Sequence, residues 1–520
     1  MEPWVISALL KTSAYPEPTH TVQLLQTHVS FLFITDTHVY KVKKPVDFGF
    51  LDFTTLDRRR FYCDEEVRLN RRLCPDIYLG VVEVRESAEG ATFDGEGKII
   101  DYAVKMKRLP AERMLDRLLR EDKVGADDMR RIALTIAAFH QNAERGEEID
   151  AFGSIEAIRR NWEENFHQAE EFITISLAKQ DLLVIREWVN RFLIEKGELF
   201  ADRIAGGFIR DGDGDIHPEN ICLTDKVCIF DCIEFNSRFR YGDTAADIAF
   251  LLMELDFHGR RSLADIFLEA YTGATGDQGA MRVLDFYKVY RAFVRGKVES
   301  FRLLDQQITT AAKQEARKKA IRYFRLARGY ILRQKLSPTL FITCGLMGSG
   351  KSTLAREFAF ELGVETASSD AVRKEIAAIP PQEHQKDDYG AGIYNQSFNE
   401  ATYAALLTRG EESLRNGRSV IIDATFSRKS DRSSFRALAE QYKVPFVMLR
   451  TECPERTIRM RLDARAGNEG EISDGRWELF HRQRDEFESP GKDEGMLIVA
   501  DCTHPVIDAV DGVLKGMGLL

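Results

Sequence analysis

The chain has 520 residues, too many for one ordinary hydrophobic core, so two or three domains are expected. Apolar residues make up 44% and charged residues 30%, which excludes a low-complexity or disordered polymer, and the net charge of −10 argues against a general nucleic-acid coat. No apolar run reaches the roughly 20 residues of a membrane span, no signal-peptide layout opens the chain, and the eight cysteines contain no CxxC pair. A cytoplasmic protein is therefore expected, with neither a zinc knuckle nor a disulfide framework.

In chain order, residues from about 20 to 108 read as a β-rich lobe. Val29 to Phe33 and Val39 to Lys43 form a hairpin around Thr35-Asp36-Thr37, Phe61 to Leu73 forms a helix, and Val81 to Val84 and Ala103 to Met106 form further strands. From about 111 to 335 the pattern is helical, broken near 208–235 by two short strands around a Gly/Asp-rich loop. A basic helix from about Thr310 to Arg333 meets Pro338, which cannot continue it. The chain is therefore cut into a first domain, 1–335, and a second, 336–520. Thr339 to Cys344 reads as a short buried strand and Leu354 to Leu362 as a helix.

Between these last two elements, Gly345-Leu346-Met347-Gly348-Ser349-Gly350-Lys351-Ser352 satisfies GxxxxGK[ST], and Thr353 follows. Glycines let the backbone curl so that its amides face phosphate oxygens, and the helix N-terminus adds its positive end. Lys351 can reach the β- and γ-phosphates of ATP, and the Ser352 hydroxyl can ligate Mg²⁺. Ser419 to Asp423 is an apolar strand ending in an acid, where a second Mg²⁺-holding group belongs, although a strand-end Asp can also cap a turn. Asp370 and Arg373, one helical turn apart, bring a carboxylate and a guanidinium to the acceptor side; a plain helix N-cap by Asp370 is the alternative. Arg456, Arg459, Arg461 and Arg465 crowd Pro454 to Ala466. Arg461 and Arg465 are the candidates for neutralising phosphoryl charge, and a solvated helix face accounts for others.

Over roughly residues 338–518 these features resemble the small P-loop kinases related to polynucleotide 5′-kinases, gluconate kinase and zeta toxins. The resemblance implies a doubly wound parallel sheet, Asp370 as the base for the acceptor hydroxyl and Arg373 as an acceptor-binding group.

In the first domain, Asp215, Asn220 and Asp231 follow one another through the loop Asp211 to Asn220 and the apolar stretch Val227 to Phe230. Asn220 and Asp231 offer the hard oxygens that Mg²⁺ requires, and Asp215 could orient or deprotonate a hydroxyl. The run resembles the catalytic loop H-G-D-x-H-x-x-N of aminoglycoside phosphotransferases, with Asp213 where that family has His. The resemblance implies a bilobal, protein-kinase-like α+β fold. It also implies an ATP-binding lysine at Lys41, with Lys43 the alternative, paired with Glu66, or with Glu65. The hinge would be Met106 to Leu109. Lys43 to Phe53 and Arg291 to Val298 extend a likeness to a bacterial family of bifunctional phosphotransferase and ATP-binding chains. The expected activity is γ-phosphoryl transfer from ATP to a hydroxyl of a small molecule or nucleotide-type acceptor, a nucleic-acid end being less favoured. The alternatives are one active P-loop site regulated by a kinase-like first domain, and a non-enzymatic ATP-switched binding protein.

Overall fold

The computed structural model describes residues 1–87, 90–306, 308–380, 395–465 and 477–520. It is a mixed α/β chain that divides into two compact units, Met1–Phe324 and Arg325–Leu520. Among the described residues no helix is long and apolar enough to cross a membrane.

The first unit opens on a six-stranded antiparallel sheet of order β1-β2-β3-β6-β4-β5. Its strands are β1 Gln23–Gln26, β2 Ser30–Ile34, β3 His38–Lys43, β4 Tyr78–Ser87, β5 Gly90–Phe93 and β6 Lys98–Lys107. The expected hairpin is β2–β3, in which Phe33 pairs with Tyr40 and Leu32 with Lys41. β1 and β5, too short to show a pattern, were not anticipated. One face of the sheet packs Phe33, Tyr40, Val42, Phe93 and Ala103 against the N-terminal helix residues Val5 and Leu9.

The helix that follows β3 spans Leu56–Asn70, starting earlier than the sequence pattern suggested because Thr55 caps it, its side chain accepting from the Arg58 amide. Helices follow β6 and include Ala126–Asn142, Thr244–Phe257 and Ala280–Phe301. Four short strands interrupt them: β7 Ile209–Asp211 pairs with β10 Tyr241–Asp243, and β8 Ile221–Leu223 with β9 Val227–Ile229.

Cysteine usage is where the fold departs from expectation. Cys74 and Cys228 form a disulfide, with their Cα atoms 4.9 Å apart. It ties the turn after helix Leu56–Asn70 to β9, inside an apolar cluster with Val67, Tyr78 and Val104. A pair separated by 154 residues leaves no local spacing signal, so the sequence reading missed it.

The unit boundary falls within helix Thr310–Leu332. Arg325 and Arg328, in its second half, pair with buried Glu361 and with Asp511. Gly329 lies so close to the Glu361 carbonyl that a Cβ there would collide with it.

The second unit is a five-stranded parallel sheet of order β12-β13-β11-β14-β15. Its strands are β11 Leu340–Cys344, β12 Glu365–Ser368, β13 Val420–Asp423, β14 Phe446–Glu452 and β15 Met496–Asp501. β11 lies in the centre and every one of its residues is buried, which accounts for its continuous apolar run. Phe341, Leu354, Phe358, Val510 and Val513 fill one side of the sheet, and Ile342, Leu406, Ile422 and Phe435 the other.

Closing a loop of 154 residues should make the disulfide worth roughly 5 kcal/mol in the chain-entropy account. Cys228→Ser should lower the unfolding free energy of the first unit by up to about that amount in oxidising buffer, read by urea denaturation. Treating the wild-type chain with dithiothreitol should reproduce the loss. Identical curves for wild type and variant without reductant would contradict the bond.

Candidate functional site

In the second unit the glycine loop grows from the carboxyl end of β11. Gly345, Gly348 and Gly350 take φ values of 145°, 72° and 105°, which L side chains rarely adopt. At Gly348 a Cβ would lie 3.0 Å from Ile458 and 3.1 Å from Leu462, a tight fit that adds to the backbone preference for glycine. Gly350 is the N-cap of helix Lys351–Leu362, so the amides of the helix's first turn, including Lys351, Ser352 and Thr353, lie ahead of the first intrahelical bond, which the Leu354 amide donates to the Gly350 carbonyl at 2.9 Å. Lys351 folds back and donates to the Leu346 carbonyl at 2.8 Å. Ser352 is exposed and Thr353 half-buried. Ser349 Oγ lies 2.6 Å from Thr451 Oγ1, and Arg461 reaches the Ser349 carbonyl at 3.5 Å and the Cys502 carbonyl at 2.7 Å.

Asp423 is buried at the end of β13, where Thr343 Oγ1 donates to its Oδ1 at 3.1 Å. Ser368, at the end of β12, is the register partner of Asp423. The next element, helix Ser369–Ile376, therefore starts beside Asp423. Its N-cap is Ser368, which sets aside a capping role for Asp370. Asp370 instead meets Arg373 at 3.3 Å, and Arg373 also donates to Asn399 Oδ1 at 3.0 Å. The sheet edge thus gathers Gly345 to Thr353, Asp423, Asp370 and Arg373. Arg461 braces the loop through two carbonyls, while Arg459 lies over the Trp477 ring and beside Asp463. The side chain of Arg465 lies outside the described residues.

A second polar cluster forms in the first unit. Alternation along β3 puts Lys41 and Lys43 on one face. Both reach Glu66: Lys41 at 2.9 Å to one carboxylate oxygen, Lys43 at 2.6 Å to the other. Lys41 also meets Asp231 at 2.5 Å, and Lys43 pairs with Glu234, a residue no motif announced. Glu65 turns away to Arg68. Burial disfavours the charge on Lys41, but Asp231 and Glu66 outweigh it and hold the ammonium well above its ordinary pKa. Asp231 sits at φ 64°, an uncommon conformation for a non-glycine residue, with its amide donating to Tyr78 Oη at 3.2 Å.

Asp215 and Asn220 meet directly, Asn220 Nδ2 donating to Asp215 Oδ2 at 2.9 Å, and His217 lies 3.4 Å from the same oxygen. Burial would raise the Asp215 carboxyl, but His217, then Arg295 and Arg291, hold it below the ordinary carboxylate value. The Phe230 amide donates to the Asn220 carbonyl at 3.0 Å, joining the approach to Asp231 to the loop. Among the described residues no group of three or more His, Cys, Asp or Glu is arranged to hold a metal. At the end of β6, the amides of Lys107 and Arg108 donate to the carbonyls of Ile77 and Thr37.

Sequence reasoning missed the brace of this loop. Buried Asp247 accepts from the amides of Asp213 and Gly214 at 2.8 and 2.9 Å, and His140 lies 3.3 Å away. Asp243 caps helix Thr244–Phe257, its side chain accepting from the Ala245 amide at 2.9 Å. Asp213 is buried beside Asp247; burial first, and that neighbouring charge second, push its carboxyl up to about 8.

The AAA domain family model AAA_33 matches residues 340–490. Three solved structures are similar to part of the chain. A sugar kinase from Janibacter sp. is 21% identical, covers 35% of this chain and 96% of its own, and has a TM-score of 0.27. A gluconokinase from Sinorhizobium meliloti is 21% identical, covers 35% and 92%, and has a TM-score of 0.26. Kti12 from Chaetomium thermophilum, in complex with ADP-AlF3, is 16% identical, covers 34% and 98%, and has a TM-score of 0.27. The glycine loop, the central β11 and the family match define a P-loop kinase-like domain in the second unit. Over 457 residues the chain is 31% identical to uncharacterized proteins Rv2004c of Mycobacterium tuberculosis and Mb2027c of Mycobacterium bovis, covering 87% of this chain and 88% of each relative. The chain belongs to the family of these mycobacterial proteins.

The raised Asp213 carboxyl has a consequence for stability. Its folded value of about 8 exceeds the ordinary 3.8, so the folded chain holds a proton that the unfolded chain releases between those values. The stabilisation is complete below 3.8 and is lost as pH rises toward 8. Asp213→Asn should flatten the fall in urea midpoint between pH 5 and pH 8. An unchanged slope would show that Asp213 does not carry this proton.

Proposed function

We propose that the second unit is an ATP-dependent kinase that moves the γ-phosphoryl group to an acceptor hydroxyl. The observation that carries the reading is the glycine loop at φ values reserved for glycine, feeding a helix N-terminus with Lys351 folded over it. The roles of Gly345 to Thr353 follow from that shape: amides hold phosphate oxygens, and Lys351 serves the β- and γ-phosphates. Ser352 and Asp423 supply the hydroxyl and carboxylate oxygens suited to Mg²⁺, which when bound to ATP neutralises phosphate charge. Asp370, steered by Arg373, takes the acceptor proton as the new O–P bond forms and the bond to ADP breaks. Arg461 supports the loop. Arg465 belongs to the same reading as a charge-neutralising group.

A second phosphotransfer site in the first unit is favoured by one observation: Lys41 contacts both Glu66 and Asp231. We read the unit as an aminoglycoside-phosphotransferase-like, bilobal kinase fold. Asp215 orients the acceptor and Asn220 and Asp231 are the Mg²⁺ ligands. The family likeness does not fix an aminoglycoside as its substrate. Small molecules and nucleotide-type hydroxyls are the acceptors proposed for both sites.

Calorimetric titration with MgATP should show Lys351→Ala weakening binding by about tenfold or more, the worth of one charge-assisted phosphate contact. Affinity untouched by that substitution would end the P-loop reading. In single-turnover assays with γ-labelled ATP and a pool of metabolites, Asp370→Asn should slow transfer by about a hundredfold while MgATP affinity holds. Asp215→Asn should remove only those products formed at the first unit. A product profile that Asp215→Asn leaves intact would reduce the chain to a single active site.

A further inference from the structure

Helices Glu455–Arg465 and Trp477–Asp485 pack together through Ile458, Leu462 and Phe480, and Leu346 and Met347 of the glycine loop rest on that apolar cluster. The absence of a side chain at Gly348 permits this approach, since Ile458 and Leu462 occupy the space a Cβ would need. On the second helix, Trp477, Phe480 and Gln483 recur at intervals of three and so share a face. Gln483 is half-buried between the exposed Arg482 and Arg484. Its Oε1 accepts from the Met347 amide at 2.7 Å.

The peptide that donates this bond is also the one whose carbonyl holds Lys351. Leu346 C=O and Met347 N–H belong to a single planar unit, and Lys351 Nζ donates to that carbonyl at 2.8 Å. One peptide is therefore gripped at both ends, by a carboxamide on the amide side and by an ammonium on the carbonyl side. Because the peptide is planar, fixing the direction of its N–H fixes the direction of its C=O, and with it the place where the lysine rests. Hydrogen bonds in series also polarise one another, so a filled N–H makes the carbonyl a better acceptor.

We infer that Gln483 is a positioning residue of the P-loop site: through the Leu346–Met347 peptide it sets the location of the Lys351 ammonium that meets the β- and γ-phosphates. The inference rests on the P-loop kinase reading and extends it to a helix that lies outside the motif. The carboxamide does this as an acceptor alone, because its partner is a backbone donor. A carboxylate of the same length serves the same purpose, whereas an alanine leaves the amide without its partner.

A double-substitution cycle on MgATP affinity tests this, read by calorimetry on the full chain. Gln483→Ala should weaken binding about fivefold when Lys351 is present and by less than twofold in a Lys351→Ala background, because the lysine is what the glutamine places. Gln483→Glu should stay within about twofold of wild type. An equal loss in both backgrounds would make Gln483 a packing residue of its helix and overturn the inference. A Gln483→Ala chain as tight as wild type would overturn it too. Wild-type chain that takes up no nucleotide would bring down the P-loop reading itself, and that result is distinct from either of the others.

Discussion

Three glycines in left-handed or neighbouring backbone conformations, within six residues, are the constraint from which the second unit is built. Any side chain at Gly345, Gly348 or Gly350 would be strained by φ, and at Gly345 and Gly348 it would also press on Thr451, Ile458 or Leu462. The loop can therefore curl tightly enough to turn amides inward only because glycine stands at these positions, and the same lack of side chains lets surrounding elements approach it closely. Strand β14 contributes Thr451, β13 contributes Asp423 through Thr343, and helix Glu455–Arg465 contributes Arg461 and two aliphatic side chains. The rigidity of the cradle belongs to the sheet edge as a whole, as pre-organised anion sites require.

The first unit solves a different problem, that of keeping charges inside protein. Lys41, Lys43, Glu66 and Glu234 are all largely buried, with Asp231 half-exposed at the edge of the group. Two cations share one carboxylate and each has a second acid, so removing any one member leaves a charge unmatched. The same economy appears behind the Asp215 loop, where Asp247 gathers two amides and His140 while Asp213 is driven toward its neutral form.

Much of this was legible in the sequence, and the parts that were not share a cause. The glycine loop could be read because its requirements are local: φ, amides and a lysine at fixed spacing. The pairing of a strand lysine with Glu66 was expected only through the family resemblance, with Glu65 as the alternative, and the structure turns Glu65 to Arg68 instead. What the period of two in β3 could not decide was Lys41 against Lys43, and the structure gives Glu66 to both. Asp247, Thr343, Thr451, Gln483 and the Cys74–Cys228 bond were invisible. Each acts on a partner far away in the chain, and nothing in its own neighbourhood marks it. The early start of helix Leu56–Asn70 was missed because a run of Arg58, Arg59 and Arg60 hides an amphipathic pattern, although Thr55 offered a cap.

The central place of β11 carries a consequence for biosynthesis. Its hydrogen-bonding neighbours are β13 and β14, and both are translated well after it. A parallel strand cannot be completed by an adjacent hairpin, so this buried strand must wait for β13 to close one edge and keeps the other open until residues near Leu449 have left the ribosome. During that interval the nascent chain exposes an incompletely paired, largely apolar strand, and it is there that chaperone capture or premature association would act on this protein.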